Sequence, residues 1–295
     1  MLILNPIPHE TIWGGNRILH NSDGKKIGHL YMVSGHSGMS SPVMNGPDKG
    51  RLLCDVFAER KTEWGLGEFE EFPLTIALVD ASGDLSIQVH PDDRAAQELE
   101  GKRIGKKESW LFLVAPESGW IYAGCSAQTK KDVDEAVRDG TMEQVVGRLP
   151  VSRGDYVCIG AGTLHAMTAG SLVYEIEYGS NYTYRFYDYN RVGADGKGRE
   201  LHIGKALKSI DVGAKPRKEP QGDGTFIEDV YEVRRRPVKA SYRNCSGETE
   251  CVSVLSGNAV LDGISVGYGM SLLLFPGEEI AGADFGDAVI ARLRR

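Results

Sequence analysis

Basic charge, long apolar runs and paired cysteines are all scarce in this sequence, and each shortage removes a class of function. The 295 residues carry 34 Lys and Arg against 41 Asp and Glu, a net charge of −7. That balance argues against a general nucleic-acid binder, which needs a basic face. No apolar run approaches the roughly 20 residues of a membrane span. The first residues, Met1 to Pro6, also lack the basic and apolar regions of a signal peptide. A cytoplasmic protein with no membrane or nucleic-acid partner is expected. The five cysteines (Cys54, Cys125, Cys158, Cys245 and Cys251) are odd in number and scattered, with no Cys-x-x-Cys pair, so they are read as reduced bystanders. Composition does not set the oligomeric state.

With 41% hydrophobic residues, the chain has enough to bury one large core or two modest ones. Short strands separated by glycine-rich turns predict a mainly β protein of sandwich or jelly-roll type. Three helices are expected. One opens at Pro91-Asp92-Asp93, runs from Arg94 to Glu100 and ends at Gly101; a second runs from Lys130 to Asp139, capped by Thr129 and stopped by Gly140. The capping-box spacing of Thr141 and Gln144 predicts a third, leading into Val145 to Leu149. The Pro-, Gly- and charge-rich stretch from Lys215 to Gly224 reads as a linker. This divides the chain into a metal-binding unit over 1–214 with a helical insertion around 129–149, a linker over 215–224, and a C-terminal unit over 225–295. The C-terminal unit resembles a degenerate second copy of the first. His165 follows Gly162 by three residues, and Ile280 follows Gly277 by three. Isoleucine cannot ligate a metal, so this copy keeps the fold and lacks the chemistry.

Four residues converge on metal chemistry. Gln88 and His90 are two apart in an apolar run, so in a strand their side chains share one face. His165 follows a glycine turn at the end of an apolar strand, and Glu108 supplies the only anionic ligand. A histidine taken singly is ordinarily a core or surface residue; here the joint pattern carries the reading. Two His, one Glu and a neutral amide oxygen suit zinc, with softer claims from manganese, iron or cobalt.

The segments around these residues resemble the two motifs of the cupin superfamily. The second motif is reproduced by Gly154, Gly160-Ala161-Gly162 and His165, with Gly where Pro is usual. In the first, Gln88 stands where His is usual and the Glu lies well downstream. The likeness narrows through Leu85 to Asp93, Gly105 to Trp110, Gly162 to Ala166, Tyr184 to Arg191 and Gly198 to Ile203, together with Ile12 to Gly15 and Phe72-Pro73. These segments, spread over most of residues 1 to 212, resemble class I mannose-6-phosphate isomerase in its short bacterial form. The resemblance implies two cupin-type jelly-roll domains with a helical insertion, and a metal, usually zinc, held by Gln88, His90, Glu108 and His165.

The activity implied is interconversion of mannose 6-phosphate and fructose 6-phosphate through a cis-enediol. A divalent ion with three neutral ligands and one carboxylate keeps a net charge of about +1 and stays electrophilic. The resemblance places the family's active-site arginine at Arg185, which could instead pack over the flanking aromatic rings. Lys106 matches a lysine two residues before the ligand Glu; burial beside a metal could lower its pKa and fit it for proton transfer, and a solvated loop lysine is the alternative. Trp13 is read either as an active-site wall or as a buried structural residue. Asn181 stands where the family often has Asp, which removes an anionic base. Arg185, Arg191, Arg199 and Lys106 are available for the substrate phosphate, with Arg199 better read as a solvated face. Where the family commonly reads Gly-Glu-x-Trp-Glu, this chain has Gly28-His29-Leu30-Tyr31-Met32. His9, His20, His36 and His202 carry no ligand argument. Two other readings remain: a non-catalytic sugar-phosphate sensor, supported by that altered segment, and a non-haem iron oxygenase, which two His and a carboxylate would also suit.

Overall fold

The computed structural model describes residues 1–19, 24–193 and 196–295; His20 lies outside the described residues. The chain forms two compact units, one from 1–9, 30–78 and 221–295, the other from 10–29 and 79–220. This interleaving departs from the contiguous blocks read from the sequence. Its cause is non-local pairing: Leu2 pairs with Leu273 and Leu4 with Ser271, which fixes the N-terminal strand to the C-terminal sheet. The stretch read as a linker also holds a strand, Arg217–Glu219, paired with Tyr156–Ile159 of the second unit.

The first unit is built on an antiparallel sheet. Its order is Leu2–Leu4, Ser271–Leu274, Glu250–Leu261, Glu279–Leu293, Tyr231–Arg243 and Thr225–Ile227, with Ile264–Gly267 folded back on Glu250–Leu261. Val252, Val254, Leu272, Phe285 and Ile290 make its core, and Ile280 is fully buried among them. Gly277 takes φ +83°, close to the +79° of Gly162. Both turns use the left-handed region that glycine enters without steric cost.

The second unit carries a five-stranded antiparallel sheet in the order Val146–Pro150, Trp120–Cys125, His165–Ala166, Ile87–Val89 and Tyr184–Tyr187. A second run of strands, Arg217–Glu219, Tyr156–Ile159, Lys106–Val114 and Leu172–Gly179, is also antiparallel. Helices cover one face of the five-stranded sheet: Ile87, Val89, Tyr122, Ala166, Tyr184 and Phe186 pack with Val133 and Ala136 of Lys130–Arg138 and Ala206 of Ile203–Ser209. Side chains alternate across a strand, so the residues between these point to the opposite face, where the site lies.

Two helices form as their caps require. The Asp92 side chain accepts from the Ala95 N–H at the start of Asp93–Glu100, and Gly101 closes it at φ +70°. Thr129 and Asp132 complete a capping box on Lys130–Arg138. The third differs from expectation. Met142–Val145 is a single turn, Thr141 makes no side-chain cap, and Val146–Pro150 is a strand in which Val146 pairs with Cys125. The β-branched Val145-Val146 pair suits the pleated conformation better than helix. Helix Leu53–Arg60 had no counterpart in the sequence reading, and Ile203–Ser209 begins directly after His202, which was read at a helix or loop junction. Among the described residues no helix is long and apolar enough to cross a membrane.

Candidate metal centre

Three strands of the five-stranded sheet place the first half of the site. Gln88 lies directly opposite His165 on one side and Arg185 on the other. Residues opposite one another in an antiparallel pair project to the same face, so these three side chains share it. His90, two residues after Gln88, follows on that face. The Gly162 N–H donates to the His90 carbonyl at 2.9 Å, which ties the turn before His165 to His90. A side chain at Gly162 would meet the Asp211 backbone at 3.2 Å as well as a strained φ.

The second half comes from Lys106–Val114 and Leu172–Gly179. Glu108 pairs with Glu177 and Trp110 with Glu175, so Lys106, Glu108, Trp110, Glu175 and Glu177 lie on one face by the two-residue period. All five are buried.

These two faces bring His90, Glu108 and His165 together. The Nε2 of His90 is 2.9 Å from Glu108 Oε2, and the Nε2 of His165 is 3.2 Å from Glu108 Oε1. Each imidazole is oriented through its other nitrogen: Nδ1 of His90 donates to the Tyr182 carbonyl at 2.9 Å and Nδ1 of His165 to the Thr163 carbonyl at 2.8 Å. A carbonyl can only accept, so both Nδ1 atoms carry the hydrogen, and in the neutral ring the Nε2 atom then presents a bare lone pair. Burial, aided by the Lys106 charge and opposed by Glu108, pushes His90 down to about 4. The His90 lone pair therefore faces a carboxylate oxygen, and among the described residues His90 Nε2 and Glu108 Oε1 have no hydrogen-bond partner. Buried acceptors that meet without a proton between them call for a cation. The donor set fits a divalent metal, and the carbonyl-anchored histidines are the supporting contacts that metal ligands use.

Gln88 reaches the same point with its amide. Its Nε2 lies 3.4 Å from His165 Nε2, and its Oε1 accepts from Ser86 Oγ at 3.0 Å. A half-turn of the amide exchanges these atoms and presents the oxygen as a fourth donor.

Lys106 is neither a lysine of lowered pKa nor a solvated loop residue, the two alternatives read from the sequence. Its ammonium lies 2.7 Å from Glu177 and 3.1 Å from Glu108. Burial disfavours the charge, but Glu177, Glu108 and Glu175 outweigh it and raise the pKa above that of ordinary lysine. Lys106 is a fixed cation. Burial, reinforced by Glu177 and Glu108, pushes the Glu175 carboxyl well above the usual range; its Oε1 accepts from Trp110 Nε1 at 2.8 Å. Trp110 packs edge-on to the His165 ring at 5.6 Å.

The guanidinium of Arg185 makes no ion pair among the described residues, and its Nε is buried without a hydrogen-bond partner. Burial and the neighbouring Arg199 lower its pKa. Arg191 and Arg199 are committed elsewhere: both pair with the buried Asp188, Arg191 also donates to the Asp84 carbonyl, and Arg199 stays partly exposed. Asn181 is exposed, one residue before the carbonyl that anchors His90. Trp13 is buried, its ring 5.1 Å from that of His29, and His29 Nε2 lies 3.8 Å from Glu175 Oε2. Glu175 and Glu177 were missed in the sequence. Two acids on one face of an otherwise apolar strand, Leu172 to Tyr178, were the available signal.

The profile of the phosphomannose isomerase type I catalytic domain matches residues 1–107. Over 220 residues the chain is 33% identical to mannose-6-phosphate isomerase ManA of Bacillus subtilis, an alignment covering 74% of this chain and 70% of the relative. The mannose-6-phosphate isomerase of Streptococcus mutans serotype c is 33% identical over 223 residues, with coverage of 74% and 70%. The crystal structure of mannose 6-phosphate isomerase from Bacillus subtilis matches with a TM-score of 0.78 at 28% identity, covering 99% of this chain and 98% of that one. A phosphomannose isomerase variant from Salmonella typhimurium, 13% identical, shares the fold with a TM-score of 0.70 over the whole of both chains. Sequence shared over three quarters of its length, and a fold shared with a solved relative over nearly all of it, place this chain in the type I mannose-6-phosphate isomerase family.

Proposed function

We propose that the chain is a metal-dependent aldose–ketose isomerase interconverting mannose 6-phosphate and fructose 6-phosphate, with zinc held by Gln88, His90, Glu108 and His165. The observation that carries the metal reading is the pair of carbonyl-anchored imidazoles whose bare Nε2 atoms face one buried carboxylate. Family membership supports the reaction and removes the oxygenase reading.

The interconversion opens the sugar ring and moves a proton between C2 and C1 through a cis-enediol, so negative charge develops on neighbouring oxygens. A bound divalent ion supplies positive charge where those oxygens collect it. Arg185 shares the face of Gln88 and His165, and its guanidinium, without an ion pair among the described residues, stabilises the same charge or holds the phosphate. Lys106, fixed as a cation by Glu177 and Glu108, donates hydrogen bonds to a substrate oxygen and holds its proton too firmly to act as the acid or the base. Arg191 and Arg199, committed to Asp188, brace the segment after Arg185. Residues 225–295 lack the chemistry, with Ile280 packed in a core at the offset that His165 occupies. We read the chain as a cytoplasmic enzyme.

Turnover of mannose 6-phosphate by the purified chain tests the proposal. The His29 and Tyr31 departure favours the sensor as the second reading; a substrate-dependent rise in melting temperature without turnover would support it.

A further inference from the structure

Glu108 and Glu177 stand directly opposite each other in an antiparallel pair, both buried. Like charges so placed repel, and burial magnifies the cost. Lys106 lies between them on the same face: its ammonium is 2.7 Å from Glu177 Oε1 and 3.1 Å from Glu108 Oε2. That Glu108 oxygen is contested, because the same atom lies 2.9 Å from His90 Nε2, at the point where the ligands converge. An ammonium bound there is a rival to a metal ion for the one anionic ligand. The shorter contact is the one to Glu177, whose neighbours Ile176 and Tyr178 belong to the other face of the strand by the two-residue period.

We propose that Glu177 is a positioning residue: it draws the Lys106 ammonium off Glu108, leaving the Glu108 carboxylate free for a divalent ion. The inference rests on the metal reading given above. Charge counting agrees with it. Lys106, Glu108 and Glu177 together carry one net negative charge, whereas with Glu177 neutral they carry none, and the ammonium is then left with Glu108 as its partner in place of the incoming ion.

The test is the Zn²⁺ affinity of four purified proteins, measured by competition with a chromogenic chelator: wild type, Glu177→Gln, Lys106→Met, and the double variant. Glu177→Gln is expected to weaken zinc binding by about tenfold or more. Lys106→Met should bind no more weakly than wild type, and the double variant should return to within about threefold of wild type, because the rival cation is gone. Unchanged affinity in Glu177→Gln overturns the role. So does a double variant as weak as Glu177→Gln, particularly if the metal-free melting temperatures of both have dropped, which marks a purely structural contact. A wild-type protein that binds no divalent ion would instead remove the metal reading, and this inference with it.

Discussion

Gln88 stands directly across an antiparallel pair from His165, with its amide nitrogen 3.4 Å from the histidine Nε2. In the proposed site the neutral amide would complete a ligand set with a single negative charge, which would leave a divalent ion electrophilic. Gln88→Leu is therefore expected to lower metal affinity by about 10- to 100-fold. Gln88→Glu should retain the metal but lower kcat, since a second carboxylate quenches its charge. Chelator competition and steady-state kinetics on the two variants check the split.

On the proposed ligand set, removing an imidazole should remove metal and activity together. His90→Ala and His165→Ala should each purify without stoichiometric metal and without turnover, as measured by elemental analysis on the same samples as the assay. Turnover by metal-free His165→Ala protein would overturn the ligand assignment.

His90 gives the metal-free protein an acid-sensitive component. Its pKa falls from 6.5 to about 4 in the folded state through burial, so between those values the unfolded chain takes a proton that the native chain refuses. The stability is fully present above about pH 6.5 and is lost as the pH falls toward 4, by up to about 3 kcal/mol from this group. Urea unfolding at about pH 7 and about pH 5 should show a smaller difference in His90→Asn than in wild type.

Arg185 should act on substrate and not on metal. Arg185→Ala is expected to lower kcat/KM by about 100-fold or more with zinc affinity unchanged. Arg185→Lys recovers only part, because an ammonium cannot reproduce the guanidinium fork.

Ile280 tests the separation of scaffold from chemistry. It is fully buried in the core of the other unit, so Ile280→Ala should cost about 2–4 kcal/mol of stability. Metal content and kcat should be unchanged below the melting temperature, which denaturant unfolding and a low-temperature assay would show.

What was legible in the sequence was local. The caps at Asp92 and Thr129 and the glycine stop at Gly101 act within a few residues, and both helices formed where those residues predict. Gln88 and His90 were readable as one face because the strand period is two. What failed depended on distant partners. The Val145 to Leu149 segment has a helical lead-in, yet Val146 is held as a strand by Cys125. Lys106 was read as a lysine whose pKa falls on burial, and the carboxylates of Glu175 and Glu177 on another strand reverse the direction. The interleaving of the two units follows from Leu2 pairing with Leu273, which leaves no trace in composition. Arg191 looked free for phosphate until Asp188 and the Asp84 carbonyl were seen to occupy it.

The most direct test of the isomerase assignment is formation of fructose 6-phosphate from mannose 6-phosphate, followed in a coupled assay on chelator-stripped protein with and without added zinc. Activity absent after stripping and restored by zinc is the expected result. Turnover indifferent to chelation would contradict the metal dependence, and no turnover with any divalent ion would contradict the isomerase assignment.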